Sequence, residues 1–124
     1  MSLLLVGAAA KAGSSSLSAC GFTATSCVDT RHTLRMLGQR RHRAVLCDID
    51  IPGVDGMQFL HRVCAGFPEV AVIVVTGPGD LCGGILAMIS GASGYIQAPF
   101  ESENIAAKIG SALKRKHLES ALRA

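Results

Sequence analysis

The chain has 124 residues, with 12 Lys and Arg against 9 Asp and Glu for a formal charge of +3, and 49% of its residues are apolar. That is the length of one domain with enough apolar side chain for a core that covers about two-thirds of the unfolded surface, which excludes disorder. No stretch approaches the roughly 18 consecutive apolar residues of a membrane span, and no secretory leader pattern opens the sequence, so the expected compartment is the cytoplasm.

In chain order, residues 3–6 form a short apolar run that predicts a strand. Residues 8–20 follow as a weak helix, poor in propensity because of Gly13 and Ser14 to Ser16. Residues 22–26 read as a second strand, and 29–40 as a helix with Thr33, Met36 and Leu37 on one face. Residues 44–47 are a wholly apolar strand. The clearest helix spans 54–65, with Met57, Leu60, Val63 and Cys64 on one stripe and Gln58, His61 and Arg62 on the other. A fourth strand covers 70–75, a weak helix 80–90, and a fifth strand 94–97. From Ser102 onward Ile105, Ile109, Leu113 and Leu118 form a last helical stripe.

The strands do not alternate apolar with polar, the mark of strands covered on both faces. The alternation of strand and helix predicts an α/β fold: a doubly wound, five-stranded parallel sheet with helices on both faces. Residues 1–113 are expected to be that domain, and 114–124 a helical extension or the start of a linker.

Cys20, Cys27, Cys47, Cys64 and Cys82 contain no C-x-x-C pair, and His32, His42, His61 and His117 lack metal-ligand spacing. The basic clusters, Arg31, Arg35, Arg40, Arg41 and Arg43 and then Lys114, Arg115 and Lys116, read as solvated helix faces and ends. With few aromatics and a small charge, nucleic-acid binding by this domain is not expected, nor is membrane binding. No nucleotide loop or nucleophile elbow is present, and no enzymatic activity is predicted.

In such a sheet, function collects at the carboxyl ends of the strands. Asp48 ends a strand there and precedes a sharp turn at Pro52-Gly53, so its carboxylate can act as ligand or nucleophile, or can simply cap a turn. The run Asp48-Ile-Asp-Ile-Pro-Gly-Val-Asp-Gly56 resembles the phosphoacceptor segment of the receiver domains of two-component response regulators, the CheY-like family of flavodoxin-like architecture. Val74-Val-Thr-Gly77, Gly91-Ala-Ser-Gly-Tyr95 and Ala98-Pro-Phe100 extend the resemblance over residues 45–100.

The resemblance implies that Asp48 accepts a phosphoryl group from a histidine kinase or phosphotransfer protein. It implies that Thr76 binds the phosphate through its hydroxyl, that Tyr95 is an aromatic switch, and that Pro99 holds a tight turn. Two departures oppose this. Gly7 and Ala8 stand where the family carries an acidic pair for Mg²⁺, and Ala98 replaces the phosphate-binding lysine. A weak Mg²⁺ site at Asp48 and Asp50 is the most the remaining carboxylates offer, and Lys11 is a candidate stand-in for the lysine. Two unit charges about 4 Å apart repel by roughly 4 kcal/mol at an effective dielectric near 20, so an uncompensated phosphoaspartate beside Asp50 and Asp55 would be costly.

Three readings follow: an atypical receiver phosphorylated at Asp48, a phosphorylation-independent pseudo-receiver acting as a protein-interaction module, and a small-ligand domain using the vacated crevice. The resemblance also implies an output domain or protein as partner, and pairing of two copies through the last helices.

Overall fold

A computed structural model describes residues 2–123; Met1 and Ala124, the outer ends of the two expected segments, lie outside the described residues. The chain forms β1 (Ser2–Val6), α1 (Ala8–Ala12), α2 (Ser14–Ala19), β2 (Thr23–Ser26), α3 (Thr30–Leu37), β3 (Ala44–Asp48), α4 (Gly56–Gly66), β4 (Ala71–Thr76), α5 (Leu81–Ile89), β5 (Gly94–Gln97) and α6 (Ser102–Arg123). All five strands pair in parallel in the order β2-β1-β3-β4-β5, the doubly wound arrangement expected from the sequence.

The unbroken apolar strands are explained by two cores, one on each face of the sheet. Leu4, Val6, Val45, Cys47, Val72 and Val74 pack with Leu37, Phe59, Leu60, Val63 and Ala87 of α3, α4 and α5. Leu3, Leu5, Leu46, Ile73 and Val75 pack with Ala10, Leu17, Ile105, Ile109 and Ala112 of α1, α2 and α6. Successive strand residues point to opposite faces, and here each face is covered.

Three helices begin at an aspartate that lies just outside them. Asp29 accepts the His32 amide at 2.7 Å, Asp55 the Met57 and Gln58 amides at 3.1 Å, and Asp80 the Gly83 amide at 2.9 Å. Each satisfies donors that the first helical turn leaves unpaired.

Two expectations are corrected. The helix predicted over 8–20 is two short helices divided at Gly13. A Cβ at that position would come within 2.6 Å of the Phe100 ring, so the chain keeps glycine where the aromatic side chain presses against it. The stripe of α6 is buried at Ile105, Ile109 and Ala112 but does not reach Leu118, which is 55% exposed. The helix itself continues without interruption past residue 114, with Leu122 exposed as well.

Candidate functional site

β1 and β3 are neighbours, with Val6 opposite Cys47, so the end of β1 lies beside Asp48 at the carboxyl edge of the sheet. Here the chain leaves β1 through Gly7, whose φ of 98° is in the left-handed region open mainly to glycine, and enters α1 at Ala8. The first turn of α1 thereby points its unpaired amides at the end of β3. Asp48 takes them: Oδ2 accepts the Ala9 amide at 2.9 Å and Oδ1 accepts the Ala10 amide at 2.9 Å. The carboxylate of one strand therefore caps the helix that follows another.

Asp48 is only 8% exposed. Burial pushes its carboxyl above the ordinary value of 3.8, the two amide bonds pull it back down, the Asp50 charge raises it, and Lys11 lowers it least. Lys11 makes no ion pair with Asp48 among the described residues.

Asp48 and Asp50 line a crevice of about 240 Å³ together with Thr76, Gly77 and Ala98. A more apolar groove of about 400 Å³, bordered by Ala12, Gly13, Pro99 and Phe100, adjoins it through Ala9, Pro78 and Ala98. Thr76 ends β4 and is 1% exposed, and its Oγ1 has no hydrogen-bond partner among the described residues, so it is not joined to Asp48. Tyr95 does not line the crevice: its half-buried ring lies where a side chain on Gly84 of α5 would sit, and the Lys108 ammonium is 5.5 Å from the ring centre. The Ala98–Pro99 bond is cis. The structure thus brings Asp48, Asp50, Thr76 and Ala98 together and leaves Tyr95 apart.

Mg²⁺ requires near-octahedral oxygen ligands and is held through carboxylates that have lone pairs to give. Both Asp48 oxygens already accept amides, Gly7 and Ala8 supply no carboxylate, and no group of three or more metal-ligating side chains occurs among the described residues. Asp48, with a lone pair left on each oxygen, and Asp50 are the two carboxylates that the crevice offers to such an ion. What the side-chain reading of the sequence missed is the pair of backbone amides at Ala9 and Ala10. Only the glycine at the strand-to-helix junction hinted at such a close approach.

The sequence model of the response regulator receiver domain matches residues 8–110. The chain is 31% identical over 99 residues to the transcriptional regulatory protein FixJ of Bradyrhizobium diazoefficiens, covering 80% of this chain and 48% of that protein. It is 30% identical over 108 residues to the C4-dicarboxylate transport transcriptional regulatory protein DctD of Rhizobium meliloti, covering 87% of this chain and 24% of that one. The chain thus spans about half or less of the length of these curated relatives. Among solved structures, a response regulator receiver domain protein from Clostridium thermocellum superposes with a TM-score of 0.82 at 27% identity, over 94% of this chain and 97% of that one. NtrX from Brucella abortus shares the fold, with a TM-score of 0.87 at 24% identity over 98% of this chain and 29% of that one. The chain belongs to the response regulator receiver domain family.

Proposed function

We propose that this receiver domain acts as a phosphorylation-independent interaction module, in which Asp48 is a structural anchor and not a phosphoacceptor. One observation carries the reading: each carboxylate oxygen of Asp48 accepts an amide from the first turn of α1, beside the positions where the family's acidic pair would hold Mg²⁺. Phosphoryl transfer relies almost wholly on positioning and on cations that neutralise the developing charge. Ala98, which supplies no ammonium group where the family carries its lysine, supports the same reading. Exposed apolar side chains at Leu81, Ile85, Leu86 and Ile89 of α5, the helix that packs under Tyr95, give the module a surface for a partner or output domain.

The competing reading keeps Asp48 as phosphoacceptor of a histidine kinase. Incubation with a small phosphodonor and Mg²⁺, followed by intact-mass measurement, decides between them. The anchor reading expects no phosphoryl increment under conditions that label an ordinary receiver, and a stoichiometric increment mapped to Asp48 overturns it.

A further inference from the structure

At the opposite edge of the sheet from Asp48, the fold unites two basic runs that lie some seventy residues apart in the sequence. Arg40, His42 and Arg43 precede β3, and Lys116 and His117 lie on α6; together they line a cavity of about 300 Å³ whose one carboxylate is Glu69. Glu69 is already committed, since Arg40 donates to it at 2.9 Å.

Arg40 has a φ of 59°, unusual for a residue with a side chain, and its guanidinium lies 5.5 Å from the centre of the Phe67 ring. That turn ends the α3 segment and directs the following residues into the sheet. The Arg43 backbone is then fixed on both sides, its amide donating to Ser2 and its carbonyl accepting from Ala71.

Of the charged side chains that line the cavity, Arg40 pairs with Glu69 and Lys116 with Glu119, while Arg43 has no ion pair among the described residues. The Lys116 side chain is only 12% exposed and pairs with Glu119 at 3.5 Å. Both ring nitrogens of His42 are buried with no hydrogen-bond partner among the described residues. Buried polar atoms are ordinarily paired, so two orphaned nitrogens on one ring beside a nearly buried lysine mark a place made for another group. Its charge follows from the lining, and its size from the volume.

We propose that this cavity binds the phosphate group of a small phosphorylated molecule, held among the Arg43 guanidinium, the Lys116 ammonium and the imidazoles of His42 and His117. Charge-assisted hydrogen bonds from several converging donors are the usual means of holding phosphate. Because Lys116 and His117 lie beyond the buried Ala112 of α6, the ligand would tie the helical extension to the body of the domain. Occupancy would then stiffen the extension, which couples a metabolite to whatever the helix contacts.

The test is calorimetric titration of the full chain with inorganic pyrophosphate, with ionic strength held constant by KCl. Saturable binding is expected, weakened about tenfold in Arg43→Gln and in Lys116→Gln, as for the loss of one charge-assisted contact. Arg31→Gln, the same charge change on an exposed face of α3, leaves it unchanged. In parallel, the His42 ring ¹⁵N resonances shift on titration of the unaltered protein, a readout that does not depend on a variant folding. Absence of saturable binding, equal loss in all three variants, or unmoved His42 resonances overturns the proposal. So does a preference for a single-stranded oligonucleotide that depends on Arg31, because that places the phosphates on an outer face.

Discussion

The Asp48 carboxylate fills the space that a side chain on Gly7 would need: a Cβ built on Gly7 would lie 2.5 Å from both Asp48 Cγ and Oδ2. The absence of an acidic residue at Gly7 and the capping of α1 by Asp48 are thus one feature. An acidic side chain at that position cannot coexist with the observed seat of Asp48.

Gly7→Ala is therefore expected to destabilise the domain by about 1–3 kcal/mol, through left-handed strain and collision with the carboxylate together. Gly7→Asp should do the same and should not create a Mg²⁺ site. Urea unfolding of both variants, with and without Mg²⁺, measures this.

Asp48→Ala leaves the Ala9 and Ala10 amides unpaired and should cost about 1–2 kcal/mol, the scale of a lost helix cap. In a site of crowded carboxylates, removing one charge would instead relieve repulsion and stabilise. Chemical denaturation gives the sign.

The pH dependence of that difference is fixed by burial. The folded state holds the Asp48 proton to higher pH than the unfolded chain, whose ordinary value is 3.8. The stability this adds is fully present below 3.8 and is lost as pH rises through the raised value. The gap between the parent and Asp48→Ala should accordingly be wider near pH 4 than at neutrality. A carboxylate held by a cation would show the reverse trend. Denaturation of both proteins across that range checks it.

How much of this the sequence disclosed depended on what kind of group was involved. The apolar runs at 44–47 and 70–75 announced a sheet covered on both faces, because side chains of alternating direction were all apolar. Asp48, Asp50, Thr76 and Ala98 could be assembled from motif spacing and do meet in one crevice. The caps at Asp29, Asp55 and Asp80 shifted helix starts by one or two residues, since an N-cap precedes its helix. Ala9 and Ala10 were invisible, because their contribution is made by backbone amides that every residue but proline carries. The convergence of Arg43 with Lys116 is long-range and leaves no local pattern.

Tyr95 is the only tyrosine and the chain has no tryptophan, so intrinsic fluorescence reports this ring alone. Gly84→Ala places a methyl group where the ring lies and should displace it, at a cost of about 1–3 kcal/mol. A changed emission intensity together with a lower denaturation midpoint is the expected outcome, and emission identical to the parent would refute the contact.

Burial and the neighbouring Asp48 charge push the Cys47 thiol up to about 12. Iodoacetamide near pH 8 should alkylate the exposed Cys20 and Cys82 in the folded protein and reach the buried Cys27 and Cys47 only on unfolding. Peptide mass mapping separates the sites.

The anchoring of α1 by Asp48 is tested most directly by the amide resonances of Ala9 and Ala10, recorded with and without Mg²⁺ and the phosphate mimic beryllofluoride. A carboxylate already committed to these amides predicts that neither resonance moves at millimolar concentrations. Saturable displacement of both, accompanied by Thr76, would contradict it and return Asp48 to phosphoryl chemistry.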